Sequence, residues 1–207
     1  LRLSQYVMYK SKAALKIVQV GDPVLRQKAR ALTVPEILSP EIQKLIAQMR
    51  ETLHKAPGVG LAAPQVGFPL QMAIIEDREE YLEDVSDEHL TERERGVVPF
   101  HVVINPVLKL DARKTIEFNE GCLSLPGFMA LVPRAHSVRV ECLDGRGKHQ
   151  TIQASGWYAR ILQHECDHLQ GALYIDRMHG RSFTSLENWN RFWKDKPIAA
   201  VRSAFSS

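Results

Sequence analysis

His164 and His168 are four residues apart in the run Gln163-His164-Glu165-Cys166-Asp167-His168-Leu169-Gln170-Gly171. On a helix, residues at that spacing lie one turn apart on nearly the same face, so both imidazoles can reach one metal ion. Glu165 follows the first histidine directly and is close enough to move a proton to or from water activated at that ion. Two histidines and a carboxylate of this kind point to hydrolysis. They do not complete a metal site.

A third ligand has several candidates. In proteases with H-E-x-x-H-x-x-G-x-x-H, Gly171 would match the glycine, but the third histidine would fall at Tyr174. Glu187 lies at a plausible distance downstream. It also completes a helix capping-box pattern, Thr184-Ser185-Leu186-Glu187, which explains it equally well. Cys122 sits in Asn119-Glu120-Gly121-Cys122-Leu123-Ser124-Leu125-Pro126-Gly127, where Gly121 and Pro126 mark irregular backbone able to press against the motif helix. A thiolate with two imidazoles would leave a fourth position open, the layout of a catalytic site. Cys166 falls on the other side of the helix and reads as core.

These groups need elements to hold them. The motif helix is expected from about Trp157 to Gln170, capped by Ser155, ended by Gly171, and apolar enough around its circumference to be central. A second helix starts at Ser39-Pro40, with Ile42, Leu45, Ile46, Met49 and Leu53 forming one apolar face. Gly58 to Gly67 is a run of small residues whose one strongly polar side chain is Gln65. It lacks the Gly-Lys-Ser/Thr of a phosphate loop. Strands are expected at Leu70–Ile75, His101–Asn105 and Lys114–Phe118, and a hairpin at Ser137–Asp144 with His149–Ala154. His89, His101, His136 and His149 read as surface groups.

The 207 residues fit a single domain, and 44% apolar with 25% charged content is ordinary for a globular chain. No apolar run approaches the ~18 residues of a membrane span. A net charge of +3 is too small to argue for nucleic acid. The charge is uneven: Glu76–Arg95 holds ten acids against three bases, net −7, which leaves +10 elsewhere. That stretch lacks a sustained apolar period and reads as a surface insert at about 76–95, partly helical around Tyr81–Leu90. Three cysteines without framework spacing suit a reducing compartment. Leu1 to Gly21 carries Arg2, Lys10, Lys12 and Lys16 without an acid, so the basic arm at about 1–14 resembles the tail of an organelle transit peptide, with an exposed basic arm as the equally simple reading.

Gly58–Gly67 (GVGLAAPQVG), Glu120–Ser124 (EGCLS) and Gln163–Gly171 (QHECDHLQG) together resemble the three signature motifs of peptide deformylases, in the right order. The likeness spans about Leu15 to Met178. It implies an α+β fold, with antiparallel sheets packed around a central metal-binding helix. It implies removal of the N-formyl group from nascent peptides that begin with formyl-methionine. By the same resemblance Cys122, His164 and His168 bind the metal and Glu165 is the acid/base. Gln65 and the Leu123 backbone N–H would form the oxyanion pocket. Fe(II) is the implied ion, with Zn(II), Ni(II) or Co(II) able to take its place.

Further expectations follow from the likeness. Val59, Gly60 and Gly121 are positions where an extended peptide could pair like an added strand. Phe118, Trp157 and Ile161 are candidate walls of a methionine pocket, with ordinary core as the competing reading. The common bacterial form carries arginine where this chain has Met129, and Trp157 is bulkier than the usual bacterial residue. The acidic insert and basic arm are similar to the mitochondrial-type eukaryotic subgroup, which implies an organelle, mitochondrion or chloroplast. Transient proximity to the ribosome and a homodimer are the remaining partner expectations, with Leu186–Trp193 reading either as core or as the dimer surface.

Overall fold

Thr33 and Ser39 start two consecutive helices in the computed structural model, which describes residues 14–83 and 85–206. The basic arm expected at about 1–14 therefore lies almost wholly outside the described residues. Thr33 caps α1 (Val34–Ile37) through a reciprocal pair: its hydroxyl accepts from the Glu36 N–H at 3.4 Å, and the Glu36 carboxylate accepts from the Thr33 N–H at 2.8 Å. Ser39 caps α2 (Pro40–His54) by accepting from Ile42 N–H at 3.3 Å, with Pro40 in the first turn. All five residues of the expected apolar face of α2 are buried.

Five strands pair antiparallel in sequence order: β1 (Gly60–Ala62), β2 (Met72–Asp77), β3 (Val98–Cys122), β4 (Leu125–Leu143) and β5 (His149–Ser155). The two strands expected at His101–Asn105 and Lys114–Phe118 are parts of β3, which shifts register between Ile104 and Val107 and between Asp111 and Thr115. Asn105 explains the first break. It holds a positive φ of 51° while its side chain accepts from Leu32 N–H (2.9 Å) and donates to Leu32 O (2.7 Å).

The sheet is covered on both faces. On β2, Met72 and Ile74 join the cluster that holds α2, whereas Ile75 joins the cluster of Ala159, Ile161 and Leu162 from α4 (Gly156–Leu169). β2 is accordingly buried along its whole length. The expected α+β architecture with a central helix is present, and α4 touches each of β1 to β5. Its C-terminus closes as a Schellman turn, with Gly171 N–H donating to His168 O at 3.2 Å and Ala172 N–H to Asp167 O at 2.9 Å. Gly171 has φ +76°, and a Cβ there would lie 2.7 Å from Arg26 O, so no other residue fits easily.

The acidic stretch begins inside β2, since Glu76 and Asp77 end that strand, and its helical part is α3 (Asp87–Arg93). After α4, β6 (Thr184–Ser185) pairs with Phe128 and Met129 of β4, and α5 (Leu186–Phe192) and α6 (Ile198–Ser206) follow. The capping box expected at Thr184 is corrected: α5 starts at Leu186, so Ser185, the last residue of β6, is its cap and accepts from Asn188 N–H at 3.2 Å. Among the described residues, no helix is long and apolar enough to cross a membrane.

Candidate metal centre

α4 presents His164 and His168 one turn apart, with ring centroids 5.0 Å apart and planes inclined at 71°. The third donor comes from the tip of the β3–β4 hairpin, where Cys122 pairs with Leu125 across the two-residue turn Leu123-Ser124. Cys122 Sγ lies 3.3 Å from His168 Nε2. One ligand atom from each of Cys122, His164 and His168 lies within 4.8 Å of the others. Among the described residues this is the one such cluster, and neither Glu187 nor Cys166 belongs to it.

The surrounding shell fixes these donors. His164 Nδ1 is 3.0 Å from Glu120 Oε2, which leaves Nε2 as the nitrogen for an ion. Glu120 is buried and also accepts from Arg134 (2.9 Å from both Nε and Nη2) and from Arg160 Nη1 (2.7 Å). Burial alone would raise the Glu120 carboxyl, but Arg134 and His164 outweigh it and hold it well below the usual carboxylate range. Arg134 bridges onward to Asp167 at 2.5 Å, and Asp167 accepts from Arg177 at 2.6 Å. The His164 imidazole is raised well above its ordinary value, since Cys122 and Glu120 overcome burial. His168 is lowered by burial and by the neighbouring His164.

Glu165 is buried, and its Oε2 has no hydrogen-bond partner among the described residues. Burial pushes its carboxyl up to about 7, with His164 opposing and Glu120 adding. Gly60 makes room for it: a Cβ at Gly60 would stand 2.3 Å from Glu165 Oε1. Gln65 is locked on the other side. Its Oε1 accepts from Ala62 N–H (2.9 Å), and its Nε2 lies 3.3 Å from Ser124 Oγ and 3.5 Å from Cys122 Sγ. The residues before the first helix lace these loops together, with Val18 N–H donating to Gln65 O (2.9 Å) and Val20 N–H to Ser124 O (2.7 Å).

The donor set fits one divalent ion. A soft sulfur with two imidazoles suits iron, zinc, nickel or cobalt, and three protein ligands leave a position open. The buried, unpartnered Glu165 Oε2 beside those donors is the acceptor such a site needs. Leu123 occupies the hairpin turn beside Cys122. A separate surface groove of about 580 Å³, lined by Lys109, Asp111, Arg139 and Gln153 among others, contains none of these residues.

Residues 14–183 match the family described as Polypeptide deformylase. The chain belongs to the polypeptide deformylase family. It is 46% identical over 191 residues to peptide deformylase 1A, chloroplastic, of Solanum lycopersicum, covering 92% of this chain and 67% of that protein. It is 49% identical over 173 residues to peptide deformylase 1A, chloroplastic/mitochondrial, of Arabidopsis thaliana, covering 84% of this chain and 64% of that one. The chain thus spans about two thirds of these plant relatives. A Met-Ala-Ser-bound class I type b deformylase from Acinetobacter baumannii superposes with a TM-score of 0.72 at 28% identity, over 81% of this chain and all of that one. The deformylase reaction removes the N-formyl group from nascent polypeptides, and enzymes of this family use a single metal ion.

The remaining expected residues are distributed as follows. Val59 and Gly60 lie at or next to β1, which is the edge strand of the sheet. Val59 O already accepts from Glu76 N–H at 3.0 Å. Gly121 is exposed beside Cys122. Phe118 and Ile161 are buried, and Trp157 packs partly buried in the same cluster as Ile161. Met129 packs towards Leu131 and Trp189 of the C-terminal cluster, a role for which an apolar side chain is suited. Sequence reasoning missed the ion network of Glu120, Arg134, Arg160, Asp167 and Arg177. One signal was available: Arg160 is four residues before His164, on the ligand face of α4. His101 and His136, expected at the surface, are partnered and half-buried; His101 Nε2 lies 2.9 Å from Tyr158 Oη, and His136 Nε2 2.6 Å from Glu94.

Proposed function

We propose that this chain hydrolyses the formamide of formyl-methionyl nascent peptides at a single divalent ion held by Cys122, His164 and His168. The observation that carries this is the convergence of those three donors with the buried Glu165 carboxylate and the Gln65 amide. When bound, the ion supplies Lewis acidity, which makes water a usable nucleophile near neutral pH. Glu165 then takes a proton from the attacking water and returns it to the leaving amine, giving formate and a free N-terminus. Its buried, unpartnered oxygen suits that task. The Gln65 Nε2–H, fixed by the Ala62 and Ser124 contacts, is placed as a donor to the developing oxyanion, with the Leu123 backbone N–H as its companion.

Val59, Gly60 and Gly121 guide the peptide backbone beside the β1 edge, where a further strand can add. Phe118, Trp157 and Ile161 wall the methionine pocket. Fe(II) is the ion of choice here, with Zn(II), Ni(II) and Co(II) as substitutes. The chain works as one catalytic domain in an organelle, mitochondrion or chloroplast, a reading supported by the plant relatives' names and the basic arm. The net +10 outside the acidic stretch favours transient approach to the ribosome. The exposed Phe128, Phe183, Leu186 and Phe192 favour a homodimer.

The test is anaerobic formate release from formyl-Met-Ala-Ser by protein loaded with each ion in turn. N-acetylated and internally cleavable peptides serve as comparison substrates. Formate release from the formyl peptide alone is expected. Internal cleavage without formate release would sink the reading. A fluorescent fusion of the natural precursor tests the organelle, and sedimentation tests the dimer.

A further inference from the structure

Three consecutive residues at the end of the acidic stretch, Arg93-Glu94-Arg95, lock onto the start of the catalytic helix. Glu94 leaves α3 in the left-handed region at φ 49°. Its carboxylate lies 2.6 Å from His136 Nε2 and accepts from Ser155 Oγ at 3.2 Å. The fit against Gly156 is tight. A Cβ there would stand 2.5 Å from Glu94 Cβ and 2.8 Å from Arg93 O, and Gly156 itself has φ +58°. Arg95 is pinned on the other side by a two-point pair with the fully buried Asp77, at 2.8 and 2.9 Å.

Arg93 is held between these two anchors. Its guanidinium carbon lies 5.3 Å from the Trp157 ring and 5.7 Å from the Phe118 ring. Arg95 stands 5.4 Å from Trp157, and Arg160 5.4 Å from Phe118. Both aromatic rings are thus flanked by two guanidinium groups. Arg95 is neutralised by Asp77 and Arg160 by Glu120, whereas Arg93 has no ion pair and its buried Nε has no partner among the described residues. Burial and Arg95 push the Arg93 guanidinium below its ordinary value. A largely desolvated cation with no salt-bridge partner among the described residues, eased only by the charge of Glu92, is costly to keep, and its contact is with the two rings.

We infer that Arg93 is a positioning residue for substrate selection: it braces Phe118 and Trp157 and so limits the size of the first side chain the enzyme accepts. This rests on the reading of those two residues as pocket walls. The insert is then a part of the specificity apparatus, fixed through Glu94 to the start of α4 and through Arg95 to the end of β2. Removing the Arg93 side chain frees the rings to part and admits bulkier first residues.

The test compares formyl-Met-Ala-Ser with formyl-Phe-Ala-Ser on wild-type, Arg93→Ala, Arg93→Lys and Gly156→Ala proteins. Binding of the unformylated peptides Met-Ala-Ser and Phe-Ala-Ser is measured in parallel by calorimetry. Arg93→Ala should raise the Phe-to-Met ratio of kcat/KM about tenfold, chiefly through KM, with a matching shift in the binding ratio. Arg93→Lys should keep the wild-type ratio. Gly156→Ala, which displaces Glu94 without entering the pocket, should move the ratio the same way as Arg93→Ala. An equal loss on both peptides, or an unchanged ratio in Arg93→Ala and Gly156→Ala, would overturn the inference while leaving the deformylase reading intact. A wild-type protein that releases formate from neither peptide and binds neither product would overturn both. If Arg93→Ala does not fold, the ratio in Gly156→Ala decides alone.

Discussion

The carboxylate of Glu120 stands 3.0 Å from Nδ1 of His164 while accepting hydrogen bonds from Arg134 and Arg160. One buried group therefore orients the His164 ring and neutralises two cations of the core. Glu120→Gln should weaken metal affinity by about 10–100-fold, because the amide cannot polarise the imidazole as a carboxylate does. It should also cost about 3–5 kcal/mol of stability, since Arg134 and Arg160 lose a buried counter-charge. Competition with a chelator reads the first effect and a denaturant melt the second. An unchanged metal affinity would remove Glu120 from the support of His164.

Glu165→Gln should retain the ion and lose turnover by about 10²–10⁴-fold, the usual contribution of a positioned proton carrier. Metal content by elemental analysis and formate release on the same sample separate the two. Activity near the wild-type level would exclude Glu165 as the proton carrier.

Gln65→Glu removes one hydrogen-bond donor and sets a carboxyl group beside Cys122 in its place. The acceptor that receives the Ala62 N–H survives, whereas the Nε2 donor facing Cys122 and Ser124 is lost. Turnover should fall by about 10²–10³-fold, or about 3–4 kcal/mol in the transition state, with KM little changed. A change confined to KM would argue against an oxyanion role.

Glu76 ties β2 to α2. Burial raises its carboxyl, but Arg50 at 2.7 Å and His54 at 2.6 Å outweigh that and hold it below its ordinary value. A carboxyl lowered in the folded state stabilises fully above its unfolded value and loses that contribution as pH falls through the folded one. Unfolding curves of wild type and Glu76→Gln should therefore differ at pH 6 to 7, and the gap should close steadily below about pH 4. A gap that widened on acidification would contradict the pairing.

Metal removal should lower stability as well as activity. At a free metal concentration 100 times Kd, the bound ion adds about 2.7 kcal/mol, so a chelator should shift the melt downwards by that amount. Cys122→Ala should abolish most of this metal-dependent shift. A shift of wild-type size in that variant would disqualify Cys122 as a ligand.

The parts of the site legible in the sequence were those whose geometry is local. His164, Glu165 and His168 follow from helical spacing alone, and Ser39, Pro40 and Gly171 mark helix ends by local chemistry, a side-chain cap in the first case and backbone conformation in the other two. Cys122 is one of several third-ligand candidates on its own context, and Gln65 is expected as an oxyanion donor only through family resemblance, because nothing along the chain says that residues 57 positions apart will meet. The ion network was hidden for the same reason: Glu120, Arg134 and Asp167 come from two strands and a helix. Strand β3 reads as two pieces in the sequence, and only the side-chain contacts of Asn105 with Leu32 show that the strand bends and continues. Arg93 had the appearance of a surface charge until the turn at Glu94 carried it onto Trp157.

The order of the donors along the chain has a consequence for the enzyme's own synthesis. Gln65 is translated first, Cys122 next, and the histidine pair last, after the hairpin and β5 that α4 must pack against. A partly translated chain lacks the histidine pair, and long-range sheet pairing must precede assembly of the complete set. The proposed ligand set is therefore complete only once β3, β4 and α4 have all been made. An enzyme that acts on other proteins' beginnings would itself become competent only after its own sheet has been made.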